Sequence, residues 1–285
     1  MKAALQNSLS NLFLPAKGVE RANLLRKLLF AYVLFNAAQM AGSFSLLYGN
    51  HSAILTRDLH GLTLTTFVNL LSVSAVKSYW DLFLIVQVIF AVLGLFGFFP
   101  RLCTMAVFFT TINLQNRIYA TLTGGDVLLQ LQLFYLMFVS DGKSPLPLAN
   151  AFDHVFFRLC QVQVLLVYLV SALYKLQSPE WLEGSALQRI LLVNEYSLPG
   201  LQKLVIAFPL VFRLLTWLAL CYQLLFPALV FSRRLKNYVL LGGVLFHIFI
   251  AFGMGLFNFS LVMICCYVLF YDGRTAVANQ FELLR

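Results

Sequence analysis

The sequence predicts an all-α, polytopic helical integral membrane protein of about seven spans, with six and eight as the bounds, and a short helix lying along the membrane interface. Three observations lead there. Of the 285 residues, 61% are hydrophobic and only 11% charged, and the mean hydropathy is +0.84. A soluble domain of this length has too little interior to hide so much apolar surface. Apolar runs of about 20 residues, the length a helix needs to cross a bilayer, recur along the whole chain. The runs are continuous rather than alternating in segments of about ten residues, which argues against a membrane β-barrel.

Each element follows from these runs and their breakers. Residues 1–23 are polar and basic, with no short apolar region before a small-residue cleavage site, and read as a cytoplasmic arm rather than a cleaved signal. The transmembrane domain occupies 24–272, and 273–285 form a C-terminal tail. The first span runs from about Leu28 to Leu47. The connection Tyr48 to Tyr79 carries His51, Arg57, Asp58 and His60, and its Thr- and Ser-rich middle, Leu62 to Val76, is expected to lie on or re-enter the membrane surface. Trp80 to Phe99 is the second span, Pro100-Arg101 a tight turn, and Leu102 to about Thr121 the third. Asp126 to Val139 is a short fourth span, followed by a loop, Ser140 to Asp153, with Asp-Gly and two prolines as breakers. Phe156 to Lys175 is the fifth span and Val205 to Phe231 the sixth. Between them, Ala186 to Val193 suits the interfacial helix. The last apolar region, Tyr238 to Tyr271, is 34 residues long, too long for one untilted span. Gly253 and Gly255 mark a bend or break in it, and a hairpin there would raise the count to eight.

The net charge of +9 does not imply nucleic acid, because the basic residues sit in short loops and at span ends. With the N-terminus inside, eleven lysines and arginines face the cytoplasm (Lys2, Lys17, Arg21, Arg26, Lys27, Arg101, Lys143, Arg158, Arg233, Arg234, Lys236). Six face outward (Arg57, Lys77, Arg117, Lys175, Arg189, Lys203). The bias selects that orientation and places Lys175 and the loop Leu176 to Gln202 on the extracytoplasmic side of the inner, cytoplasmic membrane. The five cysteines all lie in apolar segments without a CxxC pair and read as small buried hydrophobes.

Charged groups within spans are functional candidates because burying them is costly. No aspartate or glutamate falls near the middle of a span, which argues against an ion-coupled transporter and a carboxylate-bridged metal centre. No metal site is expected, since of the four histidines only His247 lies deep in a span. No serine nucleophile elbow or phosphate-cradling glycine loop is present. Lys175, at the end of the fifth span, is either a snorkelling anchor or an amine base. The second reading requires partial burial, because desolvation disfavours an ammonium relative to a neutral amine able to take a proton. Trp181 either roofs such a pocket or belongs to an interfacial aromatic belt. His247 makes one interhelical hydrogen bond or assists proton transfer. Asn116-Arg117 and Gly124-Gly125-Asp126 flank a short outer loop. They form a helix stop and start, with the glycines closing one helix and Asp126 capping the next, or a polar rim of the Lys175 pocket. Gln130, Gln132, Gln161 and Gln163 are expected to bond between helices.

The segment Ser171-Ala-Leu-Tyr-Lys175-Leu, with Trp181-Leu-Glu-Gly184 after it, resembles the lysine–tryptophan–glycine motif in the membrane region of vitamin K-dependent gamma-carboxylases. That region is shared with bacterial proteins of the HTTM family. Phe246-His247 through Gly255-Leu-Phe-Asn-Phe-Ser260-Leu-Val-Met263 is similar to the family's histidine-containing helix, and Asn116-Arg117 with Gly124-Gly125-Asp126 to the polar turn of bacterial members. The resemblance covers about Leu24 to Asp272. It implies that Lys175 acts as a base on a quinol such as menaquinol or vitamin K hydroquinone, with His247 in support and Trp181, Asn116, Arg117 and Asp126 lining the cofactor site. In the carboxylases the quinol is converted by oxygen to a base strong enough to deprotonate a glutamate side chain, and a dry site suits such chemistry. Two departures stand out. Tyr174 occupies the place of a second lysine. The carboxylases also carry a large luminal substrate-binding domain, whereas residues 273–285 are the only part of this sequence beyond the last span. Protein-glutamate carboxylation would then require a partner to supply substrate recognition. The size resembles the short bacterial members, including the membrane component of the sporulation-delaying peptide system. That likeness implies a secreted peptide substrate and a small accessory protein. The readings that stand are a carboxylase-like or quinol-linked peptide-modifying enzyme, a non-enzymatic component for peptide maturation or export, and a quinone-binding redox protein.

Overall fold

A computed structural model of the chain describes residues 17–48, 79–118, 121–140 and 147–271. The arm residues 1–16, the surface segment Leu62 to Val76 with His51, Arg57, Asp58 and His60 before it, Lys143, and the tail 273–285 lie outside them. The described residues form α-helices joined by short turns, with no strand among them: α1 (Lys17–Met40), α2 (Phe44–Tyr48), α3 (Trp80–Leu95), α4 (Pro100–Arg117), α5 (Gly124–Leu136), α6 (Pro147–Leu176), α7 (Pro179–Leu182), α8 (Ala186–Leu191), α9 (Pro199–Ala207), α10 (Pro209–Leu229), α11 (Lys236–Met254) and α12 (Phe257–Cys266). Among the described residues, three helical stretches, Leu148–Leu176, Pro209–Leu229 and Lys236–Met254, are long and apolar enough to cross a membrane, and Trp80–Leu95 and Phe257–Leu269 are shorter apolar helices. The chain divides into two compact units, Met1–Gln163 and Val164–Arg285, with the division inside α6.

In the first unit α1 packs on α3 and α5, α3 on α4, and α4 on α5. Gly94 lets α1 and α3 approach, because a Cβ there would overlap the buried ring of Phe30. The turn between α3 and α4 uses Gly97 and Phe99 in left-handed conformations before Pro100 opens α4. Arg26 is expected among the basic residues that face the cytoplasm. It is instead buried, at 1% exposure, and donates to the carbonyls of Leu136 (2.8 Å) and Val139 (2.7 Å) as α5 ends, and to Asn23. Leu136 O also accepts from the Val139 N–H (3.1 Å), and both carbonyls stand at the negative end of the helix dipole, which a guanidinium complements. Arg101 adds a bond to Phe138 O (3.0 Å) and an ion pair with buried Asp153 (3.6 Å). Asp153 also accepts from the backbone N–H (2.7 Å) and hydroxyl of Ser140.

In the second unit, the surface of α10 shows what surrounds it. Leu210, Leu214, Leu218 and Leu225 are exposed, whereas Thr216 and Gln223 are buried on the opposite face with Phe212, Leu220 and Phe226. An outer face more apolar than the inner one is the pattern of a helix solvated by lipid. One expectation needs correction. The single span Val205 to Phe231 is interrupted: Phe208 leaves helical geometry (φ −128°, ψ 58°) because Pro209, the first residue of α10, restricts its neighbour. The expected interfacial helix forms at Ala186–Leu191, with Leu187 and Leu191 buried against Val205 and Phe212. The break at the last glycines occurs as read. Gly255, with φ +71°, ends α11, and α12 turns back along it, so that His247 meets Phe259 and Gly243 meets Tyr267. The 34-residue apolar region is thus a hairpin.

Candidate functional site

The sequence of α6 places Tyr168, Ser171, Ala172 and Lys175 at i, i+3, i+4 and i+7, on one face of the helix. Lys175 occupies the last turn, where a cation complements the helix dipole. Its Nζ does not extend outward. It turns back one turn and donates to Ser171 Oγ (2.7 Å), which in turn makes a longer contact with Gln223 Oε1 on α10 (3.5 Å). The indole of Trp181 lies 4.8 Å from the same nitrogen, a cation–π distance. Lys175 and Trp181 are both half-buried.

The chain brings Trp181 there by a short detour. After α6 ends at Leu176, Pro179 opens the single turn α7. Trp217 Nε1 donates to Leu182 O (3.0 Å), tying that turn to α10. Gly184 then takes φ +81°, and a Cβ there would collide with Arg213 and Trp217. Glu180, the nearby carboxylate, is committed elsewhere: Ser178 Oγ donates to it at 2.6 Å and Arg189 stands 3.6 Å away. The Ser178 hydrogen bond is the first cause holding its carboxyl below the ordinary carboxylate range. Among the described residues, Lys175 therefore has a hydroxyl and an aromatic face as partners, and no carboxylate.

His247 lies deeper and does not contact Lys175 in this geometry. Its Nε2 is 2.8 Å from the hydroxyl of Tyr168, which also meets the hydroxyl of Tyr267. Tyr222 donates to Val239 O (3.0 Å) beside them, and Gly243 leaves the space into which the Tyr222 and Tyr267 hydroxyls project. Phe226 stacks on Tyr168 with ring centres 4.1 Å apart. The link between the two parts is α6 itself. Tyr168 precedes Lys175 by two turns, about 10 Å along the axis.

Residues 149–274 match the HTTM domain. Lys175, Trp181 and His247 fall inside that HTTM match, as does the whole tyrosine cluster. The chain is also 33% identical over 117 residues to the sporulation-delaying protein SdpB of Bacillus subtilis, covering 39% of this chain and 36% of that protein, so the similarity spans about a third of the relative's length. No solved structure matches the chain.

Asn116, Arg117 and Asp126 lie outside the HTTM match, in the first unit. Asp126 closes a capping box: its carboxylate accepts from the backbone N–H (2.7 Å) and hydroxyl (2.8 Å) of Thr123, and the Thr123 hydroxyl caps α5 in return. Gly124 and Gly125 open α5 rather than close α4, correcting the expected division of labour. Gln115 donates to Asp126 (2.9 Å) and accepts from Gln130 (2.7 Å), while Asn116 and Arg117 are buried at the end of α4. Of the other glutamines, Gln132 bonds between helices, to Cys160 O (3.0 Å), whereas Gln161 accepts from Arg158 on its own helix (2.9 Å). Sequence reasoning missed Ser171, Gln223, Tyr168, Tyr222 and Tyr267. Only Ser171 and Tyr168 had a readable signal, their four- and seven-residue spacing from Lys175. No group of three His, Cys, Asp or Glu side chains suited to a metal gathers among the described residues.

Proposed function

We propose that this protein modifies or matures a secreted peptide at the extracytoplasmic face of the inner membrane, with Lys175 as the base. The observation that carries this reading is the direction of the Lys175 amine. A snorkelling lysine sends its ammonium toward the headgroups. Here Nζ lies back along its own helix on Ser171, under the Trp181 ring. Ser171 fixes the position of the amine, Gln223 holds Ser171, and Trp181 limits the approach of water. In this arrangement Lys175 takes the proton from the substrate group presented to it. His247 acts through Tyr168, as a positioning group behind the lysine. The similarity to a sporulation-delaying protein supports the peptide branch of the resemblance over protein-glutamate carboxylation. A small accessory protein would present the peptide.

The amine beside an aromatic face also fits a quinol hydroxyl: Lys175 would take the quinol proton, and oxidation of that quinol by molecular oxygen would supply a stronger base than lysine alone. The topology that goes with this reading has a cytoplasmic N-terminus. Seven crossings go with this reading, and a crossing by the short second arm of the Gly255 hairpin would make eight.

Lys175→Arg tests the proposal, because arginine retains an anchoring charge but does not become a neutral base. Peptide modification is expected to fall by roughly 100-fold or more, the usual contribution of a general base, at an unchanged amount of protein in the membrane. Full activity of Lys175→Arg would leave Lys175 as an anchor and favour a non-enzymatic component for peptide maturation or export.

A further inference from the structure

The hairpin of α11 and α12 carries a groove of about 340 Å³ away from the lysine site. Along α11, Asn237, Leu240, Leu241 and Val244 form one wall, at helical spacing. Tyr267 and Val268 form the other, and Tyr271 stands at the end near Asn237. Apart from Asn237 and the tyrosine hydroxyls the lining is hydrocarbon, and a groove of this kind on a lipid-facing hairpin suits an acyl chain.

The end of the groove is electropositive. Arg233 and Arg234 occupy the turn before α11, are exposed, and make no ion pair among the described residues. Lys236 follows as the first residue of the helix, and no side chain caps that helix N-terminus. The Lys236 N–H donates to Ser232 O (2.9 Å), and the helix dipole adds partial positive charge there. No aspartate or glutamate occurs between Glu195 and Asp272, and Asp272 lies outside the described residues. Tyr238 and Tyr271, both exposed, mark the same end as a membrane–water boundary, where amphipathic rings settle.

We propose that this groove is a binding site for an anionic phospholipid. The headgroup phosphate lies against Arg233, Arg234 and the start of α11, and an acyl chain fills the channel over Leu240, Val244 and Val268. The site is independent of the reading of Lys175. Tyr267 connects the two places physically, since its ring lines the groove and its hydroxyl meets Tyr168.

The test is native mass spectrometry of the full-length protein released from mixed micelles containing phosphatidylglycerol and phosphatidylcholine with identical chains. The wild type is expected to retain phosphatidylglycerol preferentially. Arg233→Gln with Arg234→Gln should lower that preference by roughly 30-fold, following the strength of basic side chains at a membrane surface. Val244→Trp fills the groove and leaves every charge in place, and it should also abolish retention. Should that variant fail to fold, Leu241→Trp, at the exposed lip, makes the same test. Equal retention of both lipids by the wild type overturns the proposal. So does an undiminished preference in the groove-filled variant, which would reduce the effect to charge alone.

Discussion

Gly243→Ala is expected to destabilise the second unit by roughly 2 kcal/mol, while Gly242→Ala, one residue earlier, stabilises it by about 0.5–1 kcal/mol. At Gly243 the added Cβ would stand within the space of the Tyr222 and Tyr267 hydroxyl groups. A flexible side chain would move aside, but these two are pinned. Tyr222 is held by Val239 O and Tyr267 by the hydroxyl of Tyr168, which is itself bonded to His247. Moving either ring breaks a buried hydrogen bond, at about 1–3 kcal/mol for a group left unsatisfied, and outweighs the helix propensity gained with alanine. At Gly242 the Cβ would meet only the edge of Tyr222, at an ordinary 3.6 Å, so the propensity gain remains. Thermal unfolding in one detergent reads both. Opposite signs are the expected result, and equal shifts would mean that the tyrosine cluster is not packed as described.

Arg26→Ala is the second large effect, expected to cost about 3–5 kcal/mol. The guanidinium is almost wholly buried and satisfies Leu136 O and Val139 O at the end of α5. Hydrogen bonds from a charged donor contribute about 1.5–3 kcal/mol each, and truncation also leaves a cavity. Arg101 compensates only weakly, at 3.4 Å from Val139 O. Arg101→Ala is the control. Its side chain is 49% exposed and its ion pair with Asp153 is 3.6 Å long, so the loss should stay below about 1 kcal/mol. Similar losses in the two variants would contradict the assignment of Arg26 as the cap of α5.

The contrast between these two arginines shows what was readable beforehand. Helix ends were legible because they depend on local chemistry. Gly255 reverses the last hairpin at the break read there, and Asp126 caps α5 as read, whereas Pro100, read as part of a tight turn, opens α4. Lys175 and Trp181 come together through six residues of chain and were legible for the same reason. Arg26 was not. Charge counting treats any arginine beside a span as solvated, and its carbonyl partners lie 110 and 113 residues away. The tyrosine cluster failed on the same ground. Tyr168 and Tyr267 are 99 residues apart, and each alone looks like an ordinary aromatic in an apolar run. His247 had been read as a group for interhelical bonding or proton transfer, but nothing local in the sequence named Tyr168 as its partner.

The central claim is that Lys175 performs covalent chemistry on a secreted peptide. Mass spectrometry of the peptides secreted by the native host, with intact protein and with Lys175→Ala at equal expression, tests it most directly. The account predicts a peptide whose covalent mass differs between the two, with a carboxyl-sized difference identifying the carboxylase-like step. An identical set of secreted masses would contradict the account and return Lys175 to the role of a membrane anchor.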